Sequence, residues 1–151
     1  FIANNIENID LNNIFQSEKI KNTIIENSEF IKIFYSDINS IQKGLTIICP
    51  FKLKNNNINK NKYFINTQSN RNIVEQIIFL EKEILEKFNF LGKPKFQIEE
   101  QITNNNIILY FLNRNKKNAT YILKISGLWI DKNNYGLTFK FYKVIQFKFI
   151  H

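Results

Sequence analysis

Several residue types are scarce in this chain of 151 residues, and each scarcity removes a class of function. The chain has one cysteine, Cys49, and one histidine, His151, so it can form neither an internal disulfide nor a Cys/His metal cluster. A single cysteine without a neighbouring base usually acts as a small buried hydrophobic residue. The lack of a disulfide indicates a reducing, intracellular compartment. The four glycines do not form a phosphate-binding loop. No apolar run approaches the roughly 20 residues of a membrane span.

Arginine is also scarce, at positions 71 and 114, although the chain has 21 basic residues, 13 acidic residues and a net charge of +8. The chain therefore has few of the bidentate forks that read guanine, whereas lysine charges contact phosphates in any sequence. Residues 1–40 hold 3 lysines and 6 acids, a balance of −3, which leaves 18 basic and 7 acidic groups, or +11, in residues 41–151. This asymmetry suggests an anionic partner such as nucleic acid, and a solubilising surface is the plain alternative.

Alternating apolar and polar residues predict three strands in the first half of the chain. They are Glu29–Ser36, Leu45–Leu53 and the short Tyr63–Thr67, which completes a hairpin with the second. Pro50 places the second strand at a sheet edge or a bulge, because proline lacks the donor that a central strand needs. Between the hairpin strands, Lys54–Lys62 is a low-complexity basic loop.

The spacing of apolar residues predicts one long helix over Ile73–Phe88. Its start has the form of a capping box, with Asn72 as the cap and Glu75 reaching back to it. Farther along, Phe96–Ile102 and Ile107–Leu112 are predicted as short strands. This order favours a mainly β (α+β) fold. We expect an OB-like antiparallel barrel with one long helix at residues 29–151, after a loosely structured segment at residues 1–28.

The C-terminal region has the clearest functional pattern. Two runs of β-branched and aromatic residues within Ala119–Phe149 meet at the turn residues Asp131–Asn134, which predicts a β-hairpin. Lysines that follow the backbone and rings that stack on bases form the usual surface for single-stranded nucleic acid. An ordinary solvated face has a similar composition. In the last strand the set predicted for the core is Leu137, Phe139, Phe141, Ile145 and Phe147, and the opposite set is Thr138, Lys140, Tyr142, Val144, Gln146 and Lys148.

The stretch Ile125–Gln146 resembles the closing hairpin of the single-stranded-DNA-binding proteins of nucleocytoplasmic large DNA viruses. The features that carry the resemblance are Leu128-Trp129 before the turn, Tyr135-Gly-Leu-Thr-Phe-Lys140 after it, and Val144-Ile-Gln146 at the end. The resemblance implies an OB-fold related to the replicative single-strand binders of some phages. It also implies a role in coating exposed strands during viral DNA replication or repair.

We therefore expect a protein that binds single-stranded DNA with little sequence preference. No catalytic residue, cofactor or metal site is expected, and a homo-oligomer is compatible with this function. The residues expected to contact phosphates or stack on bases are Lys52, Lys54, Lys62, Tyr63, Lys116, Lys117, Lys124, Tyr135, Lys140, Tyr142 and Lys148.

Other functions fit the same features. A structural or assembly protein, such as a virion component, would use an apolar sheet edge of the same fold for self-association. A ribosomal or organellar protein with an AT-rich coding bias would prefer structured RNA. An enzyme is the least expected class, because the carboxylates of Glu81/Glu83 are not neighbours on one helix face and those of Glu99/Glu100 would point to opposite sides of a strand.

Overall fold

The structure, a computed structural model, describes residues 3–21, 27–55, 62–65, 67–104, 108–110 and 118–143, with the backbone only at 52–55, 62–64, 108–110, 118–119 and 143. In this part of the chain, two short 3-10 turns at Ile6–Asn8 and Leu11–Asn13 precede nine strands and two α-helices. The elements in chain order are β1 (Ile14–Lys21), β2 (Glu29–Ser36), β3 (Ile41–Lys43), β4 (Leu45–Asn55), β5 (Lys62–Ile65), α1 (Arg71–Phe88), β6 (Lys93–Lys95), α2 (Gln97–Thr103), β7 (Ile108–Tyr110), β8 (Asn118–Ile130) and β9 (Asn134–Lys143).

The long strand β8 organises the sheet because it pairs with three other strands. Its first half, up to Ile125, pairs with β4, and its second half, from Gly127 onward, pairs with β2. It also pairs with β9, with a bulge between Ile125 and Gly127 where the other partner changes from β4 to β2. A bulge bends a strand and increases its twist. The single strand β8 can therefore pair along the same edge first with β4 and then with β2.

The remaining strands extend this centre on several sides. β1 and β3 pair with β2, and β6 pairs in parallel with β9. These seven strands form a mixed sheet that the described pairings do not close. β5 pairs with the far end of β4, and β7 pairs with β5, so one network joins all nine strands. The β6–β9 pair is parallel, whereas the other pairings between these strands are antiparallel.

The turn between β8 and β9 forms where the sequence analysis predicted it. Oδ1 of Asp131 accepts hydrogen bonds from the backbone N–H of Asn133 at 2.8 Å and of Asn134 at 2.7 Å. The N–H of Asp131 donates to the carbonyl of Asn134 at 2.9 Å. Aspartate favours such turns because its side chain satisfies nearby backbone amides. The side chain of Asp131 therefore supports the turn that the local sequence predicts.

The core lies between one face of the sheet and the two helices. On β4 the alternate residues Leu45, Ile47, Cys49 and Phe51 are all buried, as the alternation predicted. The helix α1 buries one side against this face, where Ile77 and other residues at helical spacing lie in the core. Burying an aliphatic side chain of this size stabilises a fold by about 1.5–3 kcal/mol. This packing holds α1 and α2 on the inner face, apart from the start of α1, which lies near Ile48 and Pro50 of β4.

The mainly β class with one long helix is confirmed, and β2, β4, α1 and the β8–β9 hairpin lie where the sequence predicted them. The predicted strand Tyr63–Thr67 corresponds to β5, and Ile107–Leu112 corresponds to β7 as far as it is described. Most of the basic loop Lys54–Lys62 lies outside the described residues. Because the described sheet is open, the OB-like barrel remains a prediction.

The predicted strand Phe96–Ile102 is wrong, because Gln97–Thr103 forms the helix α2. Its two buried residues, Ile98 and Ile102, are four apart and lie on one side of a helix. At its start, the buried carboxylate of Glu81 on α1 accepts hydrogen bonds from the N–H groups of Ile98 at 2.8 Å and Glu99 at 3.1 Å. The acceptor lies 17 residues away in sequence, so no local pattern could have revealed it.

The predicted capping box at Asn72 and Glu75 is also wrong. The helix α1 begins at Arg71 with Asn70 at the N-cap, so Asn72 lies inside the first turn. Glu75 forms an exposed ion pair with Arg71, with Nε and Oε1 2.9 Å apart. The predicted end of the helix is close, because Asn89 adopts a left-handed conformation (φ 42°) and its N–H donates to the carbonyl of Leu85.

The N-terminal segment 1–28, which was expected to be loosely structured, contains the strand β1. This strand pairs with β2 from Ile14 to Lys21, with an irregularity between Gln16 and Lys19. Earlier in the chain, Asn4 forms an isolated bridge with Ile47, and its N–H donates to the carbonyl of Thr46 at 2.9 Å. The segment therefore contributes to the sheet on two sides.

Candidate nucleic-acid interface

The face of the sheet opposite the helices carries aromatic and basic side chains. We call it the outer face and define it by the alternating positions that the strand pairings place side by side. Its members are Phe15 and Ile20 on β1, Phe30, Lys32 and Phe34 on β2, Thr46 and Ile48 on β4, Ile122, Lys124, Gly127 and Trp129 on β8, and Gly136, Thr138, Lys140 and Tyr142 on β9. None of these residues is acidic.

Lys124, Lys140 and Tyr142 form the basic part of the outer face. Lys124 and Lys140 are direct cross-strand partners, and Tyr142 is opposite Ile122 one step along the hairpin. The ammonium of Lys140 lies 5.1 Å from the ring centroid of Tyr142, which is a cation–π distance. Like charges directly opposite each other destabilise a sheet. The pair therefore produces a local positive potential that an anion would relieve.

The charge of these lysines is not neutralised by any acid among the residues that the structure describes. The ion pairs in that part of the chain, Arg71–Glu75 and Lys82–Glu99, lie on the helices. Lys32, which is exposed like Lys140, lies on the same face, on β2, whereas Lys124 is half-buried. The outer face is thus a positive surface in a chain of net charge +8.

A group of aromatic side chains lies on the same face, around Lys32 of β2. Phe15 is directly opposite Phe34, and Phe30 is directly opposite Trp129. The side chain of Phe15 is 54% exposed and that of Tyr142 is 43% exposed, whereas the others are half-buried. Exposed rings on a strand surface are accessible to a flat partner, such as a base.

Two glycines allow rings to lie against the outer face. A Cβ at Gly136 would lie 2.9 Å from three atoms of the Trp129 indole, and one at Gly127 would lie 2.7 Å from the Phe30 ring. The indole N–H of Trp129 donates to the side-chain oxygen of Gln97, at the start of α2, at 2.8 Å. Trp129 is therefore an anchored ring at the margin of the face.

Three of the predicted site residues are brought together, and these are Lys124, Lys140 and Tyr142. Lys52 and Lys54 lie on β4 and Lys62 and Tyr63 on β5, where the backbone alone is described. The remaining predicted site residues, apart from Tyr135, lie outside the described residues, and they are Lys116, Lys117 and Lys148.

The prediction that Tyr135 stacks on a base is wrong. Its side chain is 4% exposed and belongs to the core, where its ring meets Phe90 edge-on at 5.6 Å. The sequence contained the signal, because Tyr135 is two residues before Leu137 and shares the alternating set that was predicted for the core. Side chains two apart on a strand point to the same face.

The contribution of β1 and β2 to this face was not predicted from the sequence. Phe15 lies in the segment that was expected to be loosely structured, and Phe30 and Phe34 were recognised as strand residues without a facing direction. The alternation of Phe30, Lys32 and Phe34 was a usable signal. Only the pairing of β2 with β8 shows that this set lies beside Trp129 and Gly127.

Three titratable side chains, those of Cys49, Tyr121 and Glu81, are buried in the core. Burial raises the pKa of the Cys49 thiol to about 12 and that of the Tyr121 hydroxyl to about 12. Burial also raises the pKa of Glu81, although its two backbone hydrogen bonds act in the opposite direction. In the described parts of the chain, no three His, Cys, Asp or Glu residues are grouped as metal ligands. Within the same limits, no helix is long and apolar enough to cross a membrane.

Comparison with known proteins does not assign this chain to a family. No protein-family model matches it, and neither the curated proteins nor the solved structures provide a match.

Proposed function

We propose that this protein binds single-stranded DNA along the outer face of its sheet. The observation that carries the proposal is the direct pairing of Lys124 with Lys140 beside the exposed ring of Tyr142. The lysines would contact phosphates, and Tyr142 and Phe15 would stack on bases. Each engaged base would contribute about 1–3 kcal/mol.

Binding of this kind has little sequence preference. Lysine ammonium groups contact phosphates whatever the base, and every base has a flat face that a ring can stack on. Because each neutralised phosphate releases counterions, the affinity falls as the salt concentration rises. Duplex DNA binds less well, because its bases are stacked on each other and cannot reach the rings.

The resemblance of Ile125–Gln146 to the viral single-strand binders agrees with this function. On that basis we propose that the open sheet is part of an OB-like barrel. We also propose that the protein is a DNA-binding component of viral DNA replication or repair, that it acts inside the cell in a reducing compartment, and that it is not an enzyme.

The proposal is tested by fluorescence anisotropy with labelled single-stranded DNA, duplex DNA and single-stranded RNA. The double variant Lys124→Gln/Lys140→Gln removes two charges from the outer face, and Tyr142→Ala removes the exposed ring. We expect each to weaken binding of single-stranded DNA by about tenfold, from about 1–3 kcal/mol of lost contacts.

A matched control is the double variant Lys21→Gln/Lys82→Gln, which removes the same charge away from the outer face. Lys21 is opposite Glu29 on the other side of β1, and Lys82 lies on α1. If this control weakens binding as much as Lys124→Gln/Lys140→Gln, the attraction is a general charge effect and the outer face is not the site. Equal affinity for duplex and single-stranded DNA would also contradict the proposal.

A second function, self-association, is favoured by the edge strand β1. Among the described residues, β1 pairs with β2 only, and its outward side chains Phe15 and Ile20 are 54% and 45% exposed. An open strand edge with apolar side chains can pair with a second chain. Light scattering after gel filtration tests this function: a dimer that Phe15→Ser dissociates would support it, and a monomer at all concentrations would exclude it.

A further inference from the structure

A cavity beside the outer face has a lining unlike that of the lysine surface. It has a volume of about 450 Å³ and lies between the first 3-10 turn, β4 and the start of α1. This volume is within the range of sites that hold small ligands. The apolar part of its wall comes from Ile48, Pro50 and Ile73, and its polar part includes the amides of Asn5, Asn72 and Gln76.

The cavity borders the outer face at Ile48. Ile48 belongs to both, and on the sheet it is opposite the buried Ile122, which is in turn opposite the exposed Tyr142. Two strand spacings separate Tyr142 from Ile48, which is about 10 Å. A strand that stacks a base on Tyr142 would therefore have a neighbouring nucleotide within reach of the cavity.

The chemistry of the cavity wall favours a neutral, flat, hydrogen-bonding group. Its charged lining residue is Glu7, an acid, which disfavours a phosphate. The side chains of Asn5, Asn72 and Gln76 hydrogen-bond to none of the residues that the structure describes. Each amide offers both a donor and an acceptor, the combination that pairs with the edge of a base. The apolar residues on the wall can contact the flat face of the same base.

We propose that this cavity binds one nucleobase, supplied by the strand that lies on the outer face. This inference rests on the proposed function, because bound single-stranded DNA is the source of the base. The fit of a base to the cavity is independent of the proposed function. Because the cavity would hydrogen-bond to the edge of a base, the protein would prefer particular bases at this one position. The neighbouring outer face would bind the rest of the strand without a base preference.

The test records the side-chain amide signals of Asn72 and Gln76 by ¹⁵N NMR in the full chain. The probes are oligonucleotides of about 12 nucleotides of dA or dT, a length within the site sizes of single-strand binders, and the free nucleosides deoxyadenosine and thymidine. We expect an oligonucleotide to shift both the cavity amides and the signals of Lys140 and Tyr142. We also expect one of the two base types to shift the cavity amides more strongly.

The matched variants are Gln76→Ala and Gln101→Ala, which shorten a half-buried helical glutamine inside and outside the cavity. Gln76→Ala should weaken binding of the preferred oligonucleotide by about fivefold, the effect of losing one hydrogen bond. Gln101→Ala should leave it unchanged. Circular dichroism checks that both variants are folded, which alanine in a helix favours.

The outcomes separate the two proposals. If the oligonucleotide shifts Lys140 and Tyr142 but not the cavity amides, the cavity inference is wrong and the proposed function stands. If free nucleosides shift the cavity amides but no oligonucleotide binds, the cavity holds a base from a free nucleoside and the proposed function fails. If nothing shifts, both are wrong.

Discussion

The buried carboxylate of Glu81 allows a quantitative prediction about how α2 is held in place. This side chain on α1 is fully buried, and its two oxygens accept the backbone N–H groups of Ile98 and Glu99 at the start of α2. The first N–H groups of a helix have no partner within the helix. Glu81 thus supplies from another element the acceptors that a local cap would normally supply.

Replacing Glu81 with alanine removes the acceptors for both N–H groups at once. Each buried donor left without a partner costs about 1–3 kcal/mol. The variant no longer buries a charged group, and this gain in stability partly offsets the loss in the free energy of unfolding. We expect Glu81→Ala to reduce the free energy of unfolding by about 3 kcal/mol, within the range for removing one partner of a buried polar network. Glu81→Gln keeps one acceptor oxygen, so we expect a loss of about half that size.

The pH dependence of this loss has a definite sign. Burial raises the pKa of Glu81, so the folded state binds its proton more tightly than the unfolded state does. The stability that this proton contributes is fully present below the usual glutamate pKa of about 4.3 and is lost as the pH rises through the raised folded value. The difference in stability between the wild type and Glu81→Gln should therefore increase as the pH falls through this window.

Urea unfolding followed by the fluorescence of Trp129 measures these effects. The indole of Trp129 donates a hydrogen bond to Gln97, the residue before Ile98, so it reports on the start of α2 directly. A Glu81→Ala variant whose free energy of unfolding lies within about 0.5 kcal/mol of the wild type, the range of ordinary surface substitutions, would refute the reasoning. So would a difference between wild type and Glu81→Gln that shrinks at acidic pH.

Three further predictions follow from the described geometry. Gly127→Ala places a Cβ 2.1 Å from the backbone oxygen of Ile31, and we expect it to lower the free energy of unfolding by about 3 kcal/mol or more, measured by urea unfolding. Wild-type stability in that variant would mean that β2 and β8 do not approach this closely. Cys49, buried with a pKa raised to about 12, should stay unmodified by a thiol reagent in the native protein at mildly alkaline pH and react after denaturation, and rapid native labelling would contradict its burial. If Lys124, Lys140 and one further lysine contact phosphates, the logarithm of the binding constant should fall with the logarithm of salt concentration with a slope of about −2. A slope near zero in a salt titration would argue against phosphate contacts.

The sequence predicted the elements whose pattern is local. The strands β2 and β4 and the helix α1 follow from apolar periods of two and of about 3.6 residues, which are properties of the backbone itself. The hairpin turn at Asp131–Asn134 follows from a side chain that bonds to amides two and three residues away. Part of the candidate site, Lys124, Lys140 and Tyr142, was predictable for the same reason, because alternation along one hairpin places them on one face.

The elements that depend on distant residues were not predictable in this way. The segment Gln97–Thr103 has an apolar spacing that also suits a strand, and the contact with Glu81 supports the helix. The aromatic half of the outer face exists because β1 pairs with β2 and β2 pairs with the second half of β8. The register of these two pairings decides that the side chains of Phe30 and Phe34 lie on the outer face.

The amino-acid sequence by itself determined the mainly β class, the long helix, the hairpin and the excess of lysine, since these depend on composition and on neighbours a few residues apart. The tertiary structure decided that Tyr135 is buried, that phenylalanines from two early strands share one face of the sheet with Trp129 and the hairpin lysines, and that a cavity opens next to Ile48. These features require chain segments far apart in sequence to meet, and side-chain alternation states only that two faces exist. Which face is covered depends on where the helices pack.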